Sequence, residues 1–179
     1  MRKVLFLFGQ LNDDDVEWMI NTGRRQPVAR GEVLIRQGVP VDAVFILLEG
    51  RLSVLLGRQE REIARLNSGE IVGEMSFVDA RPPSATVRGL EDAIVFAIPK
   101  PVLQGKLDRD SGFAARFYRA LAIFLSTTVR ERHQMLGAGG EVDLDEIQDD
   151  ADELDPNVLD GVYLAGERFD RMVKRVLAA

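Results

Sequence analysis

Residues 69–87 read GEIVGEMSFVDARPPSATV, and this stretch decides how the rest of the chain is interpreted. Gly73 lets the backbone approach a ligand closely, and a short helical turn that starts there would direct free N–H groups toward an anion. Glu74 adds a carboxylate, and residues 84–87 predict a strand that runs away from the turn. A carboxylate, exposed amides, a hydroxyl and a strand within one short stretch predict a binding site for a sugar phosphate.

The same stretch resembles the phosphate-binding cassette of the cyclic nucleotide-binding domain family, the β-roll of catabolite activator proteins and of kinase regulatory subunits. In that family a Gly-Glu pair is followed by an arginine, then by small residues and a threonine before a strand. Gly73 and Glu74 match the pair, residues 84–86 match the positions after the arginine, and Pro83 stands at the arginine position. The resemblance covers residues 7–136. It implies an α+β fold in which an antiparallel double-stranded β-helix, also called a β-roll or jelly roll, is flanked by an N-terminal helix and a long C-terminal helix.

The resemblance also implies which residues contact a ligand, with cyclic AMP or cyclic GMP as the possible ligand and no other cofactor. The predicted ligand-binding set contains cassette residues and one position in the long helix: Gly73, Glu74, Met75, Ser76, Arg81, Pro83, Ser84, Ala85 and Thr128. Glu74 is expected to accept hydrogen bonds from a ribose hydroxyl. A structural role stays open for three of these residues. Glu74 could satisfy the amides of its own turn, Ser84 could simply begin a strand, and Thr128 could bond back to its own helix.

Pro83 is the main departure from the family pattern. An arginine there would hold a cyclic phosphate through two charged hydrogen bonds, whereas proline has neither a charge nor an N–H group. Losing such a contact costs about 2–5 kcal/mol, which lowers affinity by a factor of roughly thirty to several thousand. Arg81 lies two residues away on the same face of an extended segment and could supply the charge; otherwise it is an exposed arginine at a turn. We therefore expect weak or non-standard binding of a cyclic nucleotide, or binding of a different anionic ligand.

Composition excludes several other classes of protein. The 179-residue chain has no cysteine and one histidine, which excludes disulfides, thiolate metal sites and the histidine-rich metal enzymes that share a β-roll shape. No nucleophile–base pair emerges, so the chain is not predicted to be an enzyme. No apolar run reaches the roughly eighteen residues of a membrane span. Residues 4–8 are too short for a signal peptide, so we expect a cytoplasmic protein without a membrane partner.

The sequence divides into a domain over residues 1–136, an acidic linker over residues 137–155 and an amphipathic helix over residues 156–179. Apolar residues at helical spacing predict one long helix over residues 111–136, and the resemblance implies a homodimer formed through it. Residues 141–160 hold ten acidic and no basic residues, and the part of this stretch over residues 141–155 is predicted to be solvated rather than folded. The terminal helix is expected to dock on its own domain or on a dimer partner rather than on a separate target.

Short elements are predicted inside the first segment. Asn12 is the expected N-cap of a helix that Gly23 ends, and residues 102–107 are expected to form a short helix. Between them, β-branched runs separated by glycine or proline predict six strands, over residues 33–35, 43–48, 52–56, 62–66, 84–87 and 93–98. Strands at this spacing indicate a roll or sandwich.

Two functions are compatible with this reading. The first is a regulatory sensor domain that binds a small anionic ligand. The alternative is a ligand-free interaction or dimerisation module that keeps the fold with a vestigial pocket. A DNA-binding regulator is disfavoured because only about 40 residues follow the long helix, without a helix-turn-helix pattern and with many acids, which repel phosphate.

Overall fold

The computed structural model describes residues 3–138 and 156–178 of the chain. The helices are α1 (Lys3–Gln10), α2 (Asp13–Thr22), α3 (Glu74–Val78), α4 (Lys100–Arg109), α5 (Ser111–Ala138) and α6 (Pro156–Ala178). The strands are β1 (Arg24–Val28), β2 (Val33–Ile35), β3 (Ala43–Glu49), β4 (Leu52–Leu56), β5 (Arg61–Leu66), β6 (Ile71–Val72), β7 (Thr86–Gly89) and β8 (Ala93–Pro99). Most of the predicted acidic linker lies outside the described residues.

The strands form two four-stranded sheets, ordered β1-β8-β3-β6 and β2-β7-β4-β5. The strand pairs are antiparallel, and most neighbours within a sheet are distant in sequence. This is the double-stranded roll with flanking helices that the sequence predicted, and the α+β fold class is confirmed. The helices collect on the outer face of the first sheet, because that sheet is apolar on both faces.

Strand β3 shows why the first sheet is buried on both sides. Val44 and Ile46 face the helices and join the core that contains α1, α5 and α6. Phe45 and Leu47 point the other way and pack against the second sheet. Successive side chains of a strand alternate between faces, so a continuous apolar run places hydrophobic groups in two cores at once. The run AVFILLE therefore makes this strand a shared wall between the roll and its helices.

The structure corrects the strand expected over residues 84–87. The strand β7 begins at Thr86, and Ser84 and Ala85 precede it in an irregular turn. Pro83 cannot donate to a sheet ladder, and its carbonyl instead accepts a hydrogen bond from the Gly38 N–H group at 2.9 Å. Two strands were also missed. The edge strand β1 is polar and contains a proline, and β6 has only two residues, so neither carries a periodic apolar signal.

The predicted N-terminal helix is α2, and its start follows a capping box. The Asn12 side chain accepts a hydrogen bond from the Asp15 N–H group, and the Asp15 carboxylate accepts one from Asn12. Gly23 does end this helix, but its backbone is extended, with φ −79°, rather than left-handed. Glycine is required there because a Cβ would lie 2.3 Å from the ring of Phe96. Packing against the sheet, rather than turn conformation, selects this residue.

Helix α1 was not predicted and lies between α5 and α6. Its short run of large apolar residues is buried on several sides, and Phe8 packs against Phe169 of α6 with ring centroids 6.4 Å apart. The terminal helix thus docks on the domain of its own chain, one of the two positions that the sequence favoured. Arg168 anchors it by donating hydrogen bonds to the carbonyl oxygens of Phe8 and Leu11, each at 2.8 Å. The Phe8 carbonyl lies in the last turn of α1 and the Leu11 carbonyl just after it, where backbone acceptors lack helical partners.

We expect Arg168→Met to destabilise the protein by about 2–3 kcal/mol, because two buried carbonyl oxygens lose charged donors. Arg171→Met is the matched control: the Arg171 side chain is 44 % exposed and bonds only to Asp13 among the contacts seen for it, so its loss should cost less than about 1 kcal/mol. Urea unfolding at constant m-value measures both. Equal midpoints for the two variants would contradict a special role for Arg168 in docking α6.

Candidate ligand-binding site

The cassette begins with a left-handed turn at Gly73. This residue has φ 86° and ψ −3°, and it connects β6 to the short helix α3. A Cβ at this position would lie 2.8 Å from the carbonyl oxygen of Ala43. Both the positive φ and the close approach of β3 therefore require glycine. The turn brings the next residue, Glu74, to the start of α3 with its side chain directed into the protein.

The Glu74 side chain is buried, with 7 % of the residue exposed. Burial raises the pKa of its carboxyl above the ordinary value of 4.5. Lys3 of α1 most strongly opposes this rise, and the backbone N–H groups of Glu74 and Met75 also lower the pKa. The carboxylate therefore interacts with the amides of its own turn, which was the structural alternative left open by the sequence. That interaction does not exclude a ligand, because a carboxylate has about four acceptor positions.

The helix α3 rests on the long helix α5. Phe77 of α3 meets Phe117 of α5 edge to face, with ring centroids 6.1 Å apart. Met75 is 56 % exposed and Ser76 is half-buried, so the two residues expected to present amides lie at the outer side of the cassette. Thr128 is in α5, but its side chain lies outside the described set, and its predicted contact stays a prediction.

The second half of the cassette is tied to the turn between β2 and β3. In addition to the bond between Gly38 and Pro83, the Thr86 hydroxyl oxygen accepts a hydrogen bond from the Gln37 N–H group at 3.1 Å. The Gln37 side chain in turn accepts one from the Gly57 N–H group at 3.0 Å. Gln37 and Thr86 thus position the segment, although neither was in the predicted set. A shared hydrogen bond between distant segments leaves no periodic signal in the sequence.

Arg81 points away from the cassette interior in this conformation. Its side chain is 84 % exposed and lies 3.9 Å from the Asp79 carboxylate, while its N–H group donates to the same carboxylate at 3.0 Å. Pro83 is half-buried, Ser84 is exposed and Ala85 is half-buried. The structure therefore places Gly73 and Glu74 inward and Arg81 outward.

Glu70 and Lys3 are further charged residues beside the cassette that the sequence analysis missed. Burial raises the pKa of the Glu70 carboxyl, and Lys3 opposes that rise with an ion pair of 3.3 Å to the Glu70 carboxylate. The spacing of Glu70 and Glu74 is visible in the sequence. The lysine is 67 residues away along the chain, so its proximity follows only from the packing of α1.

Other kinds of site are not seen in the described part of the chain. Among the residues of ranges 3–138 and 156–178, no group of three or more histidine or acidic side chains is arranged to hold a metal ion. Within the same ranges, no helix has the length and apolarity needed to cross a membrane. Two open surface cavities, of about 560 and 340 Å³, have no cassette residue among their lining residues; one lies beside Trp18 and Lys106 and the other beside Arg24 and Arg36.

The roll, its glycine turn and its buried glutamate are the features that the resemblance to the cyclic nucleotide-binding domain family predicted. Comparison with known proteins agrees: residues 25–110 match the family model described as the cyclic nucleotide-binding domain. This part of the chain therefore belongs to the cyclic nucleotide-binding domain family. The match includes α4 and the roll apart from Arg24, whereas the helices α1, α2, α5 and α6 lie outside it.

Individual relatives support the same assignment. The chain is 26 % identical over 140 residues to a cAMP-dependent protein kinase regulatory subunit from Blastocladiella emersonii, covering 74 % of this chain and 35 % of the relative. It is 30 % identical over 95 residues to a cyclic AMP receptor protein from Thermus thermophilus, covering 51 % of this chain and 44 % of the relative. The chain thus spans less than half the length of these two curated relatives.

A solved structure shows the same fold at lower sequence identity. The crystal structure of a cyclic nucleotide-binding domain from Methylobacillus flagellatus aligns with a TM-score of 0.68 at 19 % identity. The alignment covers 79 % of this chain and 85 % of that one. It therefore includes more than the residues of the family match.

The buried glutamates predict a pH dependence of stability. The Glu74 pKa is raised on folding, so between pH 4.5 and its folded value the native state binds more protons than the unfolded state. The free energy of unfolding should therefore fall as the pH rises through this window, and Glu74→Gln should flatten that slope. Urea unfolding between pH 4 and 8 measures it. Glu91→Gln is the control, because Arg51 lowers the pKa of Glu91, and its titration lies below pH 4.5. A slope unchanged by Glu74→Gln would contradict the assigned burial.

Proposed function

We propose that the chain is a regulatory sensor domain that binds a cyclic nucleotide weakly, or a related anionic ligand, at the cassette. The observation that carries this proposal is Glu74, a buried carboxylate directed inward by the left-handed turn at Gly73. A buried acid is energetically costly for a protein. The presence of Glu74 at a position where the family binds its ligand therefore favours a role in ligand binding. In this proposal the Glu74 carboxylate accepts a hydrogen bond from the ribose hydroxyl, and the amides of Met75 and Ser76 face the phosphate.

The weakness of binding in this proposal comes from Pro83. Its side chain offers no charge, and its carbonyl is already engaged by Gly38. Arg81 can supply a positive charge only by turning away from Asp79, to which it is held by contacts on the protein surface. Such exposed contacts contribute little, so a phosphate could compete for the arginine. Ser84 and Ala85 remain the proposed phosphate contacts on this side of the cassette.

Isothermal titration calorimetry with cyclic AMP and cyclic GMP tests the proposal. We expect the wild-type protein to bind at least one of them with a dissociation constant between roughly 0.1 mM and several millimolar, because the charged phosphate contact is missing. Pro83→Arg should tighten binding at least about tenfold, since it restores that contact and keeps the carbonyl that accepts from Gly38.

Pro83→Ala is the matched control, because it removes the ring without adding a charge. It should leave the affinity within about threefold of wild type. The absence of binding heat for both the wild-type protein and Pro83→Arg, with the proteins folded, would contradict the sensor function.

The second candidate is a ligand-free interaction module. The outward position of the Arg81 side chain favours this candidate, because an arginine that binds a ligand phosphate is expected to face the cassette. In this case the fold is retained and the output is dimerisation or partner docking. The calorimetry separates the two candidates. Neither candidate function involves enzymatic activity or a nucleic-acid partner. A mobility-shift assay on DNA at low salt tests the second of these two expectations.

Both candidates include a homodimer formed through α5. This helix has a second apolar stripe besides the buried one: Tyr118 is 44 % exposed, Val129 is 51 % exposed, and Ala122 and Leu125 lie between them. The alternating spacing of four, three and four residues is that of a two-helix seam. A second copy of the same helix, related by two-fold symmetry, would cover this stripe.

The double substitution Tyr118→Lys with Val129→Lys should convert the dimer to a monomer, because it places like charges across the seam. Analytical ultracentrifugation at micromolar concentration measures the change. Arg119→Lys, at an exposed position on the same helix, is the control and should remain dimeric. A wild-type protein that sediments as a monomer up to high micromolar concentration would contradict the dimer.

A further inference from the structure

Helix α1 is attached to the protein directly beside the cassette. The Val4 N–H group donates a hydrogen bond to the carbonyl oxygen of Gly69 at 2.8 Å. Gly69 precedes Glu70, which leads into β6 and then into the turn at Gly73. The first residues of the described chain therefore lie against the strand that sets the position of Glu74.

The Lys3 ammonium is enclosed where three elements meet. It pairs with the Glu70 carboxylate at 3.3 Å, and the two side chains are 24 % and 13 % exposed. The same nitrogen lies 4.8 Å from the centroid of the Phe124 ring in α5, within the range of a cation–π contact. Lys3 thus links α1 to the strand before the cassette and to the long helix.

The half-buried Glu70 and the buried Glu74 share this one lysine. Lys3 is the foremost influence that favours the charged form of both Glu70 and Glu74, while the charge of Glu70 disfavours that of Glu74. Unpaired buried carboxylates become protonated instead of remaining charged. A neutral carboxyl group accepts weaker hydrogen bonds than a carboxylate, so the state of Glu74 decides how well it can hold a ligand hydroxyl.

From this arrangement we propose that Lys3 is a positioning residue of the cassette. Its ammonium, held beside the cassette by Glu70, favours the charged form of Glu74, and it thereby makes ligand binding depend on the docking of α1. The binding part of this proposal rests on the proposed function, whereas the effect of Lys3 on Glu74 does not. By linkage, a ligand that binds the charged form of Glu74 also strengthens the docking of α1.

The alternative is that Lys3 only fastens α1 to the domain. Carboxyl ¹³C NMR titration of Glu74, with its signal assigned by comparison with Glu74→Gln, separates the two roles. We expect Lys3→Met to raise the pKa of Glu74 by about one pH unit or more, and Lys3→Arg to leave it near the wild-type value. Lys174→Met, an exposed site on α6, is the matched control and should not change it.

Glu70→Gln should shift the pKa of Glu74 in the direction opposite to Lys3→Met. It removes a like charge and leaves Lys3 to act on Glu74 alone, so the pKa of Glu74 should fall. A purely structural role for Lys3 predicts this fall in Glu70→Gln but no rise of the Glu74 pKa in Lys3→Met. An unchanged Glu74 titration in Lys3→Met would overturn the proposal. If Lys3→Met does not fold, an unchanged Glu74 titration in Lys3→Gln would overturn it instead.

Calorimetry with cyclic AMP then tests the consequence for binding. We expect Lys3→Met to weaken binding about fivefold or more at pH 7, and Lys3→Arg to restore it, because a charged acceptor makes the stronger bond. Equal affinities of wild type and Lys3→Met would overturn the link between α1 and binding. If the wild-type protein binds neither cyclic AMP nor cyclic GMP, the proposed function fails, and the NMR titration alone decides whether Lys3 positions Glu74.

Discussion

The strands β3 and β8 bury apolar side chains on both faces of one sheet, and every other layer packs on one of those faces. The second sheet covers the inner face, and the helices α1, α5 and α6 cover the outer face. This double burial removes a large apolar area from water and fixes the distance between roll and helices. The cassette depends on it, because the carbonyl of Ala43 at the start of β3 is the group that approaches Gly73.

The cassette is also the part of the fold where removing carboxylates from water is unfavourable. Burying Glu70 and Glu74 is unfavourable, and one lysine from a distant helix offsets part of that penalty. A structural reason alone does not require two acids here, since an amide or an apolar residue would avoid the penalty. Under the proposed function, the Glu74 carboxylate accepts a hydrogen bond from a ligand hydroxyl, and the proline at position 83 is the reason that we expect a low affinity.

Much of the fold was predictable because its signals are local. The Asn12 N-cap of α2, the apolar run of β3 and the long periodic helix α5 depend on neighbouring residues, and the structure has all three. The helix α1 and the strands β1 and β6 were not predicted, since short or polar segments become ordered only through contact with distant parts of the chain. The site divides in the same way. Gly73 and Glu74 are recognisable as a pair in the sequence, whereas Lys3 and Gln37 join the site through the topology.

The sequence by itself determined the class of the protein and the position of its candidate site. It did so because a glycine turn, a following acid and spaced strands are short-range patterns, and such patterns can be recognised without knowing how the chain packs. Only the tertiary structure decided which way the charged groups point. It directs Glu74 into the interior beside Lys3 and turns Arg81 outward beside Asp79. The physical reason is that charge pairing and burial depend on distances between segments far apart in the chain, and those distances exist only once both faces of the first sheet are covered.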